Sequence, residues 1–345
     1  MRRVLWLLWG VSLASACAEP DERAVGLEGE RPTFEDALWN DGNAEIAHYR
    51  VVERRYGTLR DGEATLIVVK ETFDAEALVK ADGPVEPART LGVMKLNHLL
   101  TTPTGVYTYR QMASVFLERA TARPVKLVTS SQEWCGATHK RMSIRDADAT
   151  LHAASYFGSE GDRAHPVRLD GRTVLADALP MWLRTLALER EGAREIRLVP
   201  RQLSSHASPV EVAPATVTVG APSTVEVPAG SFEAVPVTVE HAGGTDVYHL
   251  RREAPHTLVR WDRADGGHYA LEWVRRAPYW SMNGLEDEGA LAPAADPESE
   301  ADPEAESDPE AESDPETDPE TDRNPETDPE TDPETEAATD REDGP

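Results

Sequence analysis

From residue 35 to residue 288 the chain alternates short extended, apolar-rich runs with glycine-containing turns. That rhythm restricts the fold more than any other feature of the sequence. Strands that follow one another through tight turns must pair antiparallel, because parallel neighbours need crossovers of a dozen residues or more. The first runs are His48–Glu53 and the continuous apolar stretch Ala64–Val69, with Tyr56-Gly57 and Asp61-Gly62 between them. An Asp-Gly so placed reads as a hairpin turn. Leu91–Leu100 and Gly105–Phe116 read as a second pair, and Pro124–Trp134 as a further extended segment. Later strands are expected at Arg194–Val199, Ala215–Val219, Phe232–Glu240, Thr245–Arg251, Thr257–Arg263 and His268–Arg275, with turns at Gly243-Gly244 and Asp265-Gly266-Gly267. One helix is expected over Val174–Arg190, where Trp182, Leu183, Leu186 and Leu188 crowd one side; Pro180 marks a start or kink and Gly192 an end. The expected class is mainly β (α+β): a curved antiparallel sheet or open half-barrel with one covering helix. A two-lobed β-sandwich is the second architecture that fits.

The ends of the chain read differently. Arg2 and Arg3 precede an apolar stretch, Val4–Leu13, that is too short to span a bilayer comfortably, and small residues follow it. This is the order of a secretory signal. The run Leu13-Ala14-Ser15-Ala16-Cys17 resembles a bacterial lipobox. The resemblance implies cleavage after residue 16, diacylglycerol on the Cys17 thiol and a third acyl chain on the new amine. Ala18, in place of an aspartate, implies sorting to the outer membrane. Each buried methylene adds about 0.8 kcal/mol, so such an anchor would be essentially permanent. Residues 17–34 then form a tether. An ordinary secretory signal with an unmodified Cys17 is the alternative.

At the other end, residues 289–345 carry 23 acidic and 2 basic residues, a net of −21 out of the chain's −28. Asp-Pro-Glu units recur, as at Asp302-Pro303-Glu304 and Asp328-Pro329-Glu330, and Leu291 is the only aliphatic side chain larger than alanine. Such a segment buries too little apolar area to offset chain entropy and is expected to stay disordered. Prolines and charge repulsion extend it, to about 180 Å at most. It reads as a spacer, with divalent cations or a basic partner as its possible ligands; the sign of the charge disfavours nucleic acid.

Chemistry is sparse. Cys135 lies in Gln132-Glu133-Trp134-Cys135-Gly136 with His139 close behind, a candidate thiolate nucleophile with its base. The competing reading is a half-buried cysteine at a strand end. Dithiol exchange is excluded, because no second cysteine lies nearby. Glu133 and Glu160 are a candidate acidic pair. The ten histidines show no helical zinc spacing, and His165-Pro166 reads as a loop. Asp146, Asp148 and Glu160-Gly161-Asp162 lack the spacing of a calcium loop and read as solvated turns. No phosphate-cradling or dinucleotide fingerprint is present, so no cofactor is expected.

Trp39-Asn40-Asp41-Gly42-Asn43-Ala44-Glu45, Tyr56-Gly57, Lys95-Leu96-Asn97, Gln132–Gly136 and Tyr156-Phe157 with Glu160-Gly161-Asp162 resemble the signature of an uncharacterised bacterial envelope lipoprotein family. Its members are often called septum formation inhibitors by name transfer. That label implies a cytoplasmic nucleotide pyrophosphatase, whose Ser- and Arg-rich phosphate motif is not found near the start of this chain. The later strands, including Ala229–Val235, are loosely similar to periplasmic half-barrel lipoprotein carriers, which implies a lipid-like ligand held against a helix. Three functions therefore compete. The first is a non-enzymatic binding or structural lipoprotein of the envelope, with a ligand-lining face built from Leu66, Val68, Trp182, Leu186, Val237 and Leu271. The second is a hydrolase or transferase that uses Cys135 and His139 or the acidic pair. The third is a scaffold whose acidic tail is the working part.

Overall fold

The computed structural model describes residues 34, 36–207 and 210–291. The signal segment, Cys17 and the acidic repeats lie outside the described residues. The described chain forms one open sheet of seventeen strands: β1 (Ala44–Arg55), β2 (Thr58–Asp74), β3 (Val79–Lys80), β4 (Thr90–Thr104), β5 (Tyr107–Glu118), β6 (Pro124–Glu133), β7 (Gly136–Arg145), β8 (Asp148–Ser155), β9 (Asp162–Arg168), β10 (Thr173–Leu175), β11 (Gly192–Val199), β12 (Ala213–Val219), β13 (Ser223–Val227), β14 (Gly230–His241), β15 (Gly244–Arg251), β16 (Leu258–Asp262) and β17 (His268–Ala277). Hairpins join β4 through β9 in order, and β14 through β17 likewise. β2 pairs with β4, and β1 is sandwiched between β2 and the last strand, β17. First and last strands thus meet in the middle of the sheet. β12, β11 and β10 continue it beyond β14, and only the β10–β11 pair is parallel. The two ends of the sheet are β9 and β10, and the short strands β3 and β13 also pair on one side only. The open half-barrel expectation holds.

Three local expectations are corrected. The first hairpin turns at Tyr56-Gly57, not at Asp61-Gly62: Arg55 pairs with Thr58, and both turn residues have positive φ (50° and 75°), the geometry a two-residue hairpin favours. Gly62 lies within β2 for another reason. A Cβ there would stand 2.5 Å from the Thr101 carbonyl oxygen of β4, so glycine permits the close approach of two backbones. His165-Pro166 is not a loop but lies in β9, a rim strand, where a residue without an N–H is tolerated.

The third correction is the helix. Residues 173–175 are strand, and only Leu179–Trp182 (α1) is α-helical, flanked by single 3₁₀ turns over 176–178 and 183–185. Pro180 fits the first turn of a helix. A longer helix would need a polar outer face, and this segment has none: every residue from Leu179 to Leu186 is buried. Arg184 is drawn inward to Glu45 at 2.7 Å, and the backbone becomes extended at Leu186. The segment is a plug inside the curl of the sheet. Each large apolar side chain it buries contributes about 1.5–3 kcal/mol. Phe34 is buried in the same core, with its carbonyl held by Arg119. Leu291 packs outside the sheet near Tyr279 and Met282, its carbonyl accepting from Arg275 at 2.8 Å.

Candidate functional site

Strand alternation decides which side chains enter the curl. On β1 the inward positions run Ala47, Tyr49, Val51, and on β2 they include Ala64 and Leu66. The six side chains expected to line an apolar groove, Leu66, Val68, Trp182, Leu186, Val237 and Leu271, are all members of this one packed core, and none is more than 6 % exposed. The plug fills the space that a single covering helix would have left open. These residues are core, and the expectation of an open groove along them is corrected.

The same inward parity carries charge at the other end of β1. After Val51 come Glu53 and Arg55, both facing in. Arg60 of β2 stands directly across from Glu53, hence on the same face. Arg263, just past β16, forms an ion pair with Glu53, and Arg201 lies 3.8 Å from it. Both arginines sit over the Trp261 ring at 5.5 Å. Burial pushes the Glu53 carboxyl up, but Arg201, Arg263 and Arg55 outweigh that and hold it below the usual glutamate range. Burial lowers the Arg55 guanidinium; Glu53 offsets part of this, and the positive Arg201 and Arg263 lower it again. His98, fully buried and 3.2 Å from the Tyr269 hydroxyl, is driven well below its ordinary value by burial and by the same two arginines, so it stays neutral. This end of the curl is a mouth. Its rim on one side is the tips of four hairpins, which carry the exposed side chains Tyr56, Val106, Trp134 and Tyr156. The Tyr56 hydroxyl bonds those of Tyr107 (2.7 Å) and Tyr109 (2.6 Å), and Tyr107 lies 6.2 Å from Trp134.

A polar ladder continues inward from the mouth. The Gln111 amide donates to Ser131 at 3.0 Å, and the Thr138 hydroxyl donates to the Ser205 carbonyl at 2.7 Å. The buried ammonium of Lys140 donates to the Ser204 hydroxyl and to the His206 carbonyl, at 3.1 and 2.6 Å. Burial lowers Lys140 to about 8 against the pull of Asp177 and Glu160. These bonds tie residues 204–206 across the inner face of β7.

The sequence candidates for catalysis separate. Cys135 is exposed in the two-residue turn between β6 and β7, not half-buried at a strand end. Its backbone N–H donates to Glu133 at 2.5 Å, and the hydrogen bond and charge of Glu133 raise the thiol pKa. A thiol raised in this way is a poor nucleophile at neutral pH. Among the described residues no hydrogen bond joins Cys135 to His139. His139 lies on the outer face of β7, in a shallow open groove of about 420 Å³ that Leu99, Met112, Arg110 and Gln132 also line. That groove is on the opposite face of the sheet from the charged mouth. Glu133 and Glu160 do not form a pair: Glu160 is taken up by the Ser155 hydroxyl (2.6 Å), the Ala207 N–H (2.8 Å) and His206 (2.7 Å). Asp146 falls in the tight turn between β7 and β8, and Asp148 pairs with Arg168 at 2.9 Å. Among the described residues no group of three or more His, Cys, Asp or Glu side chains is placed to hold a metal ion. Cys17 lies outside the described residues.

The mouth was not singled out in the sequence. The signal for it was local: the alternation Tyr49, Val51 continues without a break into Glu53 and Arg55, which puts two charges where an apolar pattern points inward.

The chain matches no protein family, and no curated protein matches it. Among solved structures it is similar to a β-barrel-like protein of a domain of unknown function from Brucella abortus, with a TM-score of 0.43 and 12 % identity over 68 % of this chain and 98 % of that one. It also matches, with a TM-score of 0.18 and 12 % identity, a putative exported protein with a YmcC-like fold from Bacteroides fragilis, over 68 % of this chain and 95 % of that one. No helix among the described residues is long and apolar enough to cross a membrane.

Proposed function

We propose that this chain is a lipid-anchored protein of the cell envelope that binds rather than transforms its ligand, with the mouth of the half-barrel as its binding end. One observation carries the reading. The interior of the sheet is filled by the plug at one end, whereas at the other it holds a half-buried cluster of arginines around a single glutamate, beneath a rim of exposed aromatic side chains. Binding sites combine apolar walls with a few convergent polar groups, and among the described residues this end of the molecule offers both. The lipobox-like run ending at Cys17 supports the anchor, and Ala18 after it supports the outer-membrane address. An enzymatic role at Cys135 draws no support from its raised thiol pKa and exposed turn.

The filled core favours a second reading, a scaffold with no ligand at all. Native mass spectrometry of the full chain extracted from membranes separates the two. The binding reading expects a non-protein mass beyond the acyl chains that leaves on mild denaturation. A spectrum accounted for entirely by polypeptide and anchor supports the scaffold. The anchor has its own test: Cys17→Ser should remove the acyl mass and release the protein from membranes.

A further inference from the structure

We infer that the mouth is an oxyanion site, built to receive a phosphate or carboxylate group through Arg55 and Arg60. The inference deepens the binding reading above and rests on it.

Register brings the two arginines together. Arg60 is the cross-strand partner of Glu53, and Arg55 follows Glu53 by two residues on the same face, so Arg55 and Arg60 are diagonal neighbours across the first hairpin. Diagonal pairs stand about 7–8 Å apart at Cα, close enough for two guanidinium groups to converge on one small anion. The turn that sets this spacing is the two-residue Tyr56-Gly57, which fixes the register of both strands.

The second step concerns counter-charges. Four arginines share this end of the interior, and the carboxylates around them are already engaged. Glu53 takes Arg263 and, at longer range, Arg201. Asp265 takes the other branch of Arg263 at 2.9 Å. Asp246 accepts from the Ala264 N–H at 2.8 Å and the Trp261 indole at 3.3 Å and lies 3.6 Å from His241, while Asp177 accepts from the backbone N–H groups of Gln202 and Leu203. None of them is bonded to Arg55 or Arg60. Arg55 touches the Gln111 amide oxygen and the face of Tyr109, 4.6 Å from the ring centroid, and feels Glu53 only through space. Arg60 has neither hydrogen bond nor ion pair among the described residues, and the Nε atoms of both arginines are buried without a partner. Buried donors left unmade are costly. The one carboxylate that adjoins both guanidiniums, Glu53, is already ion-paired with Arg263, so Arg55 and Arg60 keep unused N–H donors in the geometry that oxyanions accept.

The third step is chemical selection. A cation would meet four guanidiniums. A neutral ligand would leave their charge uncompensated. An anionic group supplies the missing counter-charge, and the adjoining tyrosines supply a wall against which the rest of the ligand can rest.

The test uses the full chain in neutral detergent and isothermal titration with four probes: inorganic phosphate, dihexanoyl phosphatidic acid, hexanoate and dihexanoylglycerol. Saturable binding of an anionic probe is expected, weakening as salt rises. It should fall about tenfold or more in the double variant Arg55→Gln/Arg60→Gln, as loss of charge-assisted hydrogen bonds requires. Arg50→Gln, on the outward face of the same strand, should bind as the wild type does. Far-UV and near-UV circular dichroism check that the variants are folded; should the double variant be misfolded, Arg55→Lys/Arg60→Lys keeps the charge, loses the planar fork and should bind with intermediate affinity. Free phosphate binding as tightly as phosphatidic acid would make the headgroup alone the ligand, whereas tighter phosphatidic acid would make it an anionic lipid. Equal affinity in the double variant overturns the inference. Binding of dihexanoylglycerol alone overturns it too, while leaving the binding reading intact, and no binding of any probe removes both.

Discussion

Two glutamates on the same face of β1 sit in opposite electrostatic worlds. Glu45, at the plugged end, is 2 % exposed and fully matched: one oxygen takes Arg184 at 2.7 Å and the other the Thr257 hydroxyl at 2.9 Å. Glu53, at the mouth, shares four guanidiniums with only Asp265, which pairs with Arg263. In the first arrangement both carboxylate oxygens are taken up within the core. The second holds like charges together and is complete only with another anion. A matched buried pair fixes a packing arrangement, whereas an unmatched cluster near solvent is a cost that a structure carries for function.

Four experiments break or sharpen that contrast, the largest effect first. Glu45→Ala strands the Arg184 charge in the core and should destabilise the domain by about 3–5 kcal/mol in urea unfolding. A loss under about 1 kcal/mol would mean that water reaches Arg184 and that the plugged end is not closed. Glu53→Gln should cost less, about 1–3 kcal/mol at pH 7, and the cost should depend on pH. The folded-state pKa of Glu53 lies below its unfolded value, so its contribution is present above about pH 4.3 and is lost as pH falls through the folded value. The wild-type advantage over Glu53→Gln should therefore shrink between about pH 5 and pH 3; an advantage constant with pH contradicts the charge argument. Third, the double change Glu45→Leu/Arg184→Met should recover most of the loss of Glu45→Ala and end within about 2 kcal/mol of the wild type, since matched buried ions are replaceable by packing. Last, Arg55→Gln should move stability by less than about 1 kcal/mol in either direction, because the lost bond to Gln111 and lost attraction to Glu53 are offset by relief of the burial cost and of repulsion from Arg201 and Arg263. A large loss there would make Arg55 a structural residue and remove the contrast.

Much of the architecture was legible because it is periodic. β5 alternates cleanly between buried and more exposed positions, and antiparallel pairing follows from the short connections between successive strands. β7 to β9 were harder to see. Their outward positions carry Arg141, His152 and Arg168, and a strand with one wet face and a short buried face resembles a loop in composition. The plug was misread because Trp182, Leu183 and Leu186 satisfy a helical spacing that burial on all sides makes irrelevant; no local pattern announces that Arg184 points inward to a glutamate 139 residues away. For the same reason the mouth was invisible as a cluster. Arg201 and Arg263 come to Glu53 only through the return of β17 to the side of β1, a long-range pairing that spacing along the chain does not encode. The apolar candidates Leu66, Val68 and Leu271 lie in the packed core, and what the sequence lacked was the knowledge that the interior is full.

The two rims of the open sheet have a bearing on how molecules behave when crowded together. A strand with one unpaired side is a template on which another chain can add itself, and a curl that never closes has two such sides. Here neither is usable. β10 is three residues long and buried throughout. β9 presents Pro166, which has no N–H to give, with exposed Arg163 and Arg168 on either side of it, so two copies meeting rim to rim would face a missing hydrogen bond and charges of like sign. At these two ends the half-barrel can stay open at high local concentration without adding a neighbour's strand.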